Sequence, residues 1–425
     1  MKRRLLAFFL AAVLLFLAGC GAAEQKNRSS GQSVCLTMYL WDKSMTRELT
    51  PWLEEQFPEI EFTFVVAGSC GPDHYEDLLR HGELPDILTC RRFSLHDAAG
   101  LEDALLDLSG TELAGTFYEA VLKNNRGRGG AVCWLPMGAE VEGIIVNRQL
   151  LREHNLERPA NYREFAGLCH VLERYGLDCF YMDLQSDQCC LSAMQGSAIP
   201  ELMSLAGTRW RAAYEAQTPE EPVGLDKAVW PAVMERFEQF LRDTCLGPED
   251  LDTTFAEARQ QFCEGSLAML CGTGSDCVAL VEDGMDAVLL PYFGEEEKDN
   301  WILTYPLFQV AVNRSVEQDP AKKSAALAVL EAMFSAEGQA RAAAGSTVLP
   351  YNRTVEMSLD GSLIFAQNCV ISNHLYQSLS TRKFLAASQD VTEKLIRREY
   401  DARGAYEDLN ARLLSREEVP AAAAP

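Results

Sequence analysis

Basic residues are scarce in this chain: 38 Lys and Arg stand against 62 Asp and Glu in 425 residues, a formal charge of −24. Affinity for nucleic acid comes mainly from cations that neutralise phosphates, so the charge excludes a nucleic-acid partner. An anionic lipid surface would repel the body of the chain as well. Histidine is scarcer still: the six residues (74, 81, 96, 154, 170, 374) never fall into H-E-x-x-H spacing. No G-x-S-x-G, no G-x-x-x-x-G-K-[ST] and no C-x-x-C occurs, which removes the nucleophile-elbow, phosphate-loop, zinc-ribbon and thioredoxin-like readings. No unit of 20–50 residues repeats, so solenoids are excluded. Gly 29 and Pro 17 are ordinary counts, against collagen-like or disordered chains. Paired carboxylates are too common in so acidic a chain to mark a glycosidase, which stays an alternative only as a surface enzyme with unrecognised motifs.

What is present begins with an exception to the globular pattern. Residues 1–20, MKRRLLAFFLAAVLLFLAGC, set Lys2, Arg3 and Arg4 before an apolar run from Leu5 to Ala18. Fourteen apolar residues suit a secretory signal and fall short of the ~20 that span a bilayer; the alternative is an uncleaved signal anchor. A small, polar stretch from Gly21 to Ser33 follows, as expected of a tether. The last residues, 417–425, are expected to fray.

The 14 cysteines are scattered, many where Val or Ala would serve, as in VCLTMYL and AVCWLP. They read as small buried hydrophobes, with a disulfide framework as the alternative. The vicinal pair Cys189-Cys190 has no account from sequence.

Strand and helix patterns alternate. VCLTMYLW (Val34–Trp41) and IEFTFVV (Ile60–Val66) are predicted strands, and Met45, Leu49, Trp52, Leu53 and Phe57 between them have helical spacing. Strands are predicted at Asp86–Cys90, Ala131–Pro136, Gly143–Asn147, Cys179–Met182, Leu267–Cys271, Asp286–Leu290 and Leu307–Asn313. Asn161 and Glu164 predict a capped helix to Tyr175, and Asp319 with Pro320 another. Further helices are predicted at 228–243 and 252–264, and one charged helix at 389–412. The alternation predicts a mainly parallel α/β sheet.

Several phrases resemble the family 1 extracellular solute-binding proteins of ABC importers. They are Trp41-Asp42 after the first strand, FPEIEFTFVV, GELPDIL, CWLPMGAEVEGIIVNRQLLREHNLERPANYREF, FCEGSLAMLCGTGSD, and LFQVAVNRS with AGSTVLPYN. They run in family order through most of residues 34–352, and Leu17-Ala18-Gly19-Cys20 resembles a lipobox. The resemblance implies a class II periplasmic-binding-protein-like fold, two α/β lobes joined by hinge crossings with a ligand cleft between them. It implies a lipid-modified Cys20 after a signal peptide at 1–19 and a tether at 20–33. One lobe would be 34–139 with 304–347, and the other 140–303 with 348–416. The function implied is capture of a small polar solute, a sugar or oligosaccharide, for an ABC permease. The chain would act as a monomer, tethered by lipid outside the cell, without catalysis, cofactor or metal. Alternatives are a ligand-sensing lipoprotein with a signalling partner and a binder of an acidic sugar or other anion.

The candidate site follows from strand exits and from this resemblance. Trp41, Asp42 and Lys43 follow the first strand, where a Trp face suits a sugar's C–H face and Asp accepts from hydroxyls; core packing and capping are the alternatives. Arg91 and Arg92 leave the third strand and would suit a carboxylate or sulfate. Glu140 is expected in a loop, at a position where maltose-binding protein uses a glutamate. Asp183 and Gln185 leave the strand ending at Met182. Gly274 and Ser275 open a helix whose free N–H groups could receive an acceptor. Tyr292 and Trp301 flank an acidic loop and could supply a ring.

Overall fold

The computed structural model describes residues 33–66, 71–91, 93, 95–217, 221–356 and 361–415. Cys20, the tether up to residue 32, Cys70, Arg92 and the 417–425 tail lie outside the described residues.

Among the described residues nine strands form one sheet: β1 (Val34–Leu40), β2 (Ile60–Val66), β3 (Ile87–Arg91), β4 (Trp134–Asn147), β5 (Asp178–Tyr181), β6 (Leu267–Thr273), β7 (Ala287–Leu290), β8 (Ile302–Val312) and β9 (Leu375–Gln377). The order is β2-β1-β3-β8-β4-β6-β5, with β7 on β4 and β9 on β8. β1 is parallel to β2 and β3, as β5 is to β6, while β4 and β8 pair antiparallel along most of their length. The longer helices that cover the sheet are α1 (Met45–Gln56), α2 (Pro72–His81), α3 (Tyr162–Arg174), α4 (Asp187–Gly196), α5 (Leu205–Glu215), α6 (Trp230–Asp243), α7 (Phe255–Glu264), α8 (Gly274–Glu282), α9 (Pro320–Met333), α10 (Ala336–Ala343), α11 (Ile364–Ile371), α12 (Arg382–Ile396) and α13 (Ala402–Leu414).

Local chemistry explains the boundaries. Asn161 Oδ1 accepts the Glu164 N–H at 3.0 Å, and Glu164 returns to the N–H of Ala160 at 2.8 Å, closing the start of α3. Asp319 Oδ1 accepts the N–H groups of Ala321 and Lys322 (2.9 and 3.2 Å), with Pro320 at the first turn of α9.

Four sequence expectations are corrected. The sheet is mixed, not mainly parallel: β8 is antiparallel to β3 and β4, and β4 to β6 and β7, because these two long strands cross between the parallel groups. The segments 131–136 and 143–147 are not separate strands: β4 is continuous for 14 residues, because β8 pairs with it on both sides of Gly138. β8 itself begins at Ile302 rather than Leu307, carrying Pro306 within it. The single helix expected over 389–412 is two, α12 and α13, separated at Arg398, whose φ of +58° turns the chain back. The two then pack together, with Arg412 bonded to both Asp390 and Asp408.

The sheet has two wings. Leu36, Met38, Leu40, Leu49 and Leu53 pack with Val329, Leu330 and Met333 behind the β1–β2–β3 wing. Phe165, Phe180, Phe237, Phe240, Met269 and Val391 fill the β5–β6 wing. Together they define a two-lobed α/β fold. The cysteines fit the small-hydrophobe reading: Cys90, Cys133, Cys169, Cys179, Cys190, Cys271, Cys277 and Cys369 are buried free thiols. No described helix is long and apolar enough to cross a membrane.

Candidate functional site

The register of β4 and β8 builds the site. β3 ends at Arg91, paired with Phe308 of β8, which pairs in turn with Met137 of β4. From the other wing, β6 ends at Thr273, paired with Glu142 of β4. β1 is parallel to β3 and β5 to β6, so the C-terminal ends of all four strands point at one another across the stretch from Met137 to Glu142. Those five steps (142 − 137) span roughly 17 Å at about 3.4 Å per residue, the scale of a small solute. Ligands of open α/β sheets sit beyond such strand ends.

Two chain segments cross this gap as β4 and β8, and a third runs beside them. Ala139 and Leu349 exchange N–H···O bonds at 2.5 and 2.8 Å, and Ser275 Oγ accepts the Thr347 N–H at 3.1 Å. In the middle stands Gly138, with φ +59° and no room for a side chain: a Cβ would lie 2.9 Å from Val348 Cγ2. A left-handed glycine, followed by Ala139 with Pro306 opposite, marks where these strands bend most readily.

The first wing brings Trp41, Asp42, Lys43 and Arg91 to its strand ends. The Trp41 N–H donates to Thr89 Oγ1 at 2.9 Å, and its ring lies on Phe308 with centroids 6.2 Å apart. The ring is half-buried, and its Nε1 is shielded from water without a partner. Asp42 Oδ1 accepts the Ser44 N–H at 2.7 Å; the Ser44 hydroxyl and N–H together hold its carboxyl below the usual range. Asp42 therefore shapes the turn into α1. Lys43 and Arg91 are exposed at the rim.

Glu140 is corrected from a loop to a strand residue. It lies within β4 opposite Tyr305, and is the half-buried position of an otherwise buried strand. Tyr351 lies buried nearby, its phenol pushed up by burial and by the Glu140 carboxylate. Thr304, Tyr305 and Tyr351 were not singled out by sequence; the phrase LPYN held the signal for the last of them.

The second wing brings Asp183, Gln185, Gly274 and Ser275 to its strand ends. Asp183 Oδ1 accepts the Gln185 N–H at 3.1 Å, and Gln185 Nε2 reaches the Asp252 carbonyl at 3.1 Å, so both shape the loop after β5. Thr273 and Asp276 cap α8 reciprocally (3.1 and 2.9 Å), placing Gly274 and Ser275 in its first turn. A polar relay runs inward, Gln188 Nε2 to Ser192 Oγ at 2.9 Å and Ser192 Oγ to the buried Glu142 at 2.8 Å.

Tyr292 and Trp301 flank the acidic loop and close its base by backbone bonds of 3.0 and 3.3 Å, but Tyr292 is 2% exposed, its hydroxyl beside Cys271, so its ring belongs to the core. Trp301 stacks on His374, with centroids 4.8 Å apart. The Cys189-Cys190 pair also finds its explanation. Successive helical residues point about 100° apart. Cys189 accordingly lies beside Cys271 and Glu142, and Cys190 is buried on the side where α4 meets α12.

Solved structures with the same architecture exist. A family 1 extracellular solute-binding protein from Bifidobacterium longum subsp. infantis superposes with a TM-score of 0.74 at 16% identity, over 90% of this chain and 99% of that one. The apo form of RafE from Streptococcus pneumoniae gives 0.71 at 15% identity, over 90% and 98%. RafE in complex with raffinose gives 0.61 at 16% identity, over 89% and 98%. The fold is thus the two-lobed one of family 1 extracellular solute-binding proteins. No protein-family model and no curated protein matches the sequence.

Proposed function

We propose that this chain is a family 1 solute-binding lipoprotein that closes its two lobes on an oligosaccharide and presents it to the permease of an ABC importer. The observation that carries the reading is the register: four strand ends converge on the roughly 17 Å crossing stretch. Structures of this fold include one described as bound to raffinose and another to stachyose. The groups at the gap suit a neutral sugar. Trp41 offers a ring face, while Glu140 and the Gln188–Ser192–Glu142 relay offer acceptors for hydroxyls. Arg91 stands at the rim, where it can meet an edge hydroxyl or a uronate.

The better fit to apo than to raffinose-bound RafE supports reading this conformation as the open one. A ligand shifts such a hinge only by binding the closed form more tightly than the open form. The lobes we assign are 34–139 with 304–347, and 140–303 with 348–416, meeting close to Gly138. Cys20 would carry the acyl chains that hold the protein on the outer face of the cell membrane, with residues 20–33 as tether. The reaction is binding and release; no bond is made or broken.

A thermal-shift panel of raffinose, stachyose, maltose, galacturonate, sulfate and peptides tests this reading. A sugar at 100 times its Kd is expected to add about 2.7 kcal/mol of stability. Stabilisation by peptides alone would refute the sugar assignment.

A further inference from the structure

Away from the crossing strands, three donor side chains of different chemistry meet at one point. His170 and Glu173 lie three residues apart on α3, on one helix face. Cys245 follows the end of α6. One ligand atom from each of the three lies within 4.8 Å of the other two. We propose that His170, Glu173 and Cys245 form a binding site for a thiophilic divalent cation, with Zn²⁺ as the ion whose ligand preferences they match.

Three features support it. First, imidazole, carboxylate and thiolate are the zinc donor set, and three protein ligands leave a fourth position for water. Second, Cys245 has φ +58°, a left-handed conformation that ordinarily selects glycine or asparagine after a helix. That turn brings its sulfur back toward the face of α3 that carries His170 and Glu173. Third, negative charge stands beside the histidine: Asp243 Oδ1, held by Gln239 Nε2 at 2.8 Å, is 4.0 Å from His170 Nε2, beyond hydrogen-bond distance but close enough to favour a cation there.

The test uses the full-length chain, purified in detergent under reducing conditions, stripped with a chelator and dialysed against ZnCl₂. One Zn²⁺ per chain is expected, with Cys245→Ser and His170→Ala each weakening uptake at least tenfold. Cys263→Ser, an exposed cysteine on α7, should leave uptake unchanged. Co²⁺ should give a thiolate-to-metal charge-transfer band that Cys245→Ser abolishes, a signature that lost stability alone would not produce. Absence of Zn²⁺ uptake, or uptake that survives Cys245→Ser, would overturn the proposal. So would a Cys179–Cys245 disulfide persisting in protein isolated with Zn²⁺ present.

Discussion

Trp41→Ala is expected to weaken binding of the oligosaccharide giving the largest thermal shift by roughly 10- to 100-fold, about 1.4–2.7 kcal/mol. The ring ends β1 at the gap between the wings and leans on Phe308, so it is already fixed before a ligand arrives. A preorganised ring loses little entropy on binding. The half-buried ring face is the part a sugar can stack on. Trp41→Phe keeps a smaller ring face, so it should fall between wild type and alanine. Isothermal titration with a parallel urea melt separates affinity from stability. Unchanged affinity in both variants would remove Trp41 from the site.

Phe165→Ala is expected to lower the unfolding free energy by about 3–5 kcal/mol while leaving sugar affinity within a factor of a few. Phe165 is fully buried on α3, stacked on Phe240 at 5.7 Å and Phe293 at 5.1 Å, with Phe180 edge-on at 5.9 Å. Removing the hub opens a cavity that three rings cannot fill by side-chain movement alone, and aromatic pairs contribute about 0.5–1.5 kcal/mol beyond the area they bury. Phe165→Leu should lose much less, since it retains most of the volume. Urea titration reads both variants, and a loss below about 1 kcal/mol for alanine would contradict this view of the core.

Much of this fold was legible where local chemistry decides it. β2 lies where β-branched and aromatic residues placed it, and Asn161 and Asp319 cap the helices their side chains announced. Elements set by distant partners were not legible. Pro136 and Gly138 look like breaks in the sequence, yet β4 continues through them because β8 pairs on both sides. Arg398 carries no turn signature; the break between α12 and α13 belongs to their mutual packing. Tyr292 reads as a loop aromatic but enters the core beside Gly196, where a Cβ would come within 2.5 Å of the ring. At the site, strand exits were legible because they follow from strand ends, whereas Thr304, Tyr305 and Tyr351 depend on which strands cross.

The central claim is that the two wings bend toward each other about the crossing at Gly138 when a sugar enters. Small-angle X-ray scattering of residues 33–425, with and without saturating raffinose or whichever panel sugar binds best, tests it most directly. The account expects the radius of gyration to fall on binding and to return when the sugar is dialysed away. A sugar that binds tightly by calorimetry yet leaves the scattering curve unchanged would contradict it.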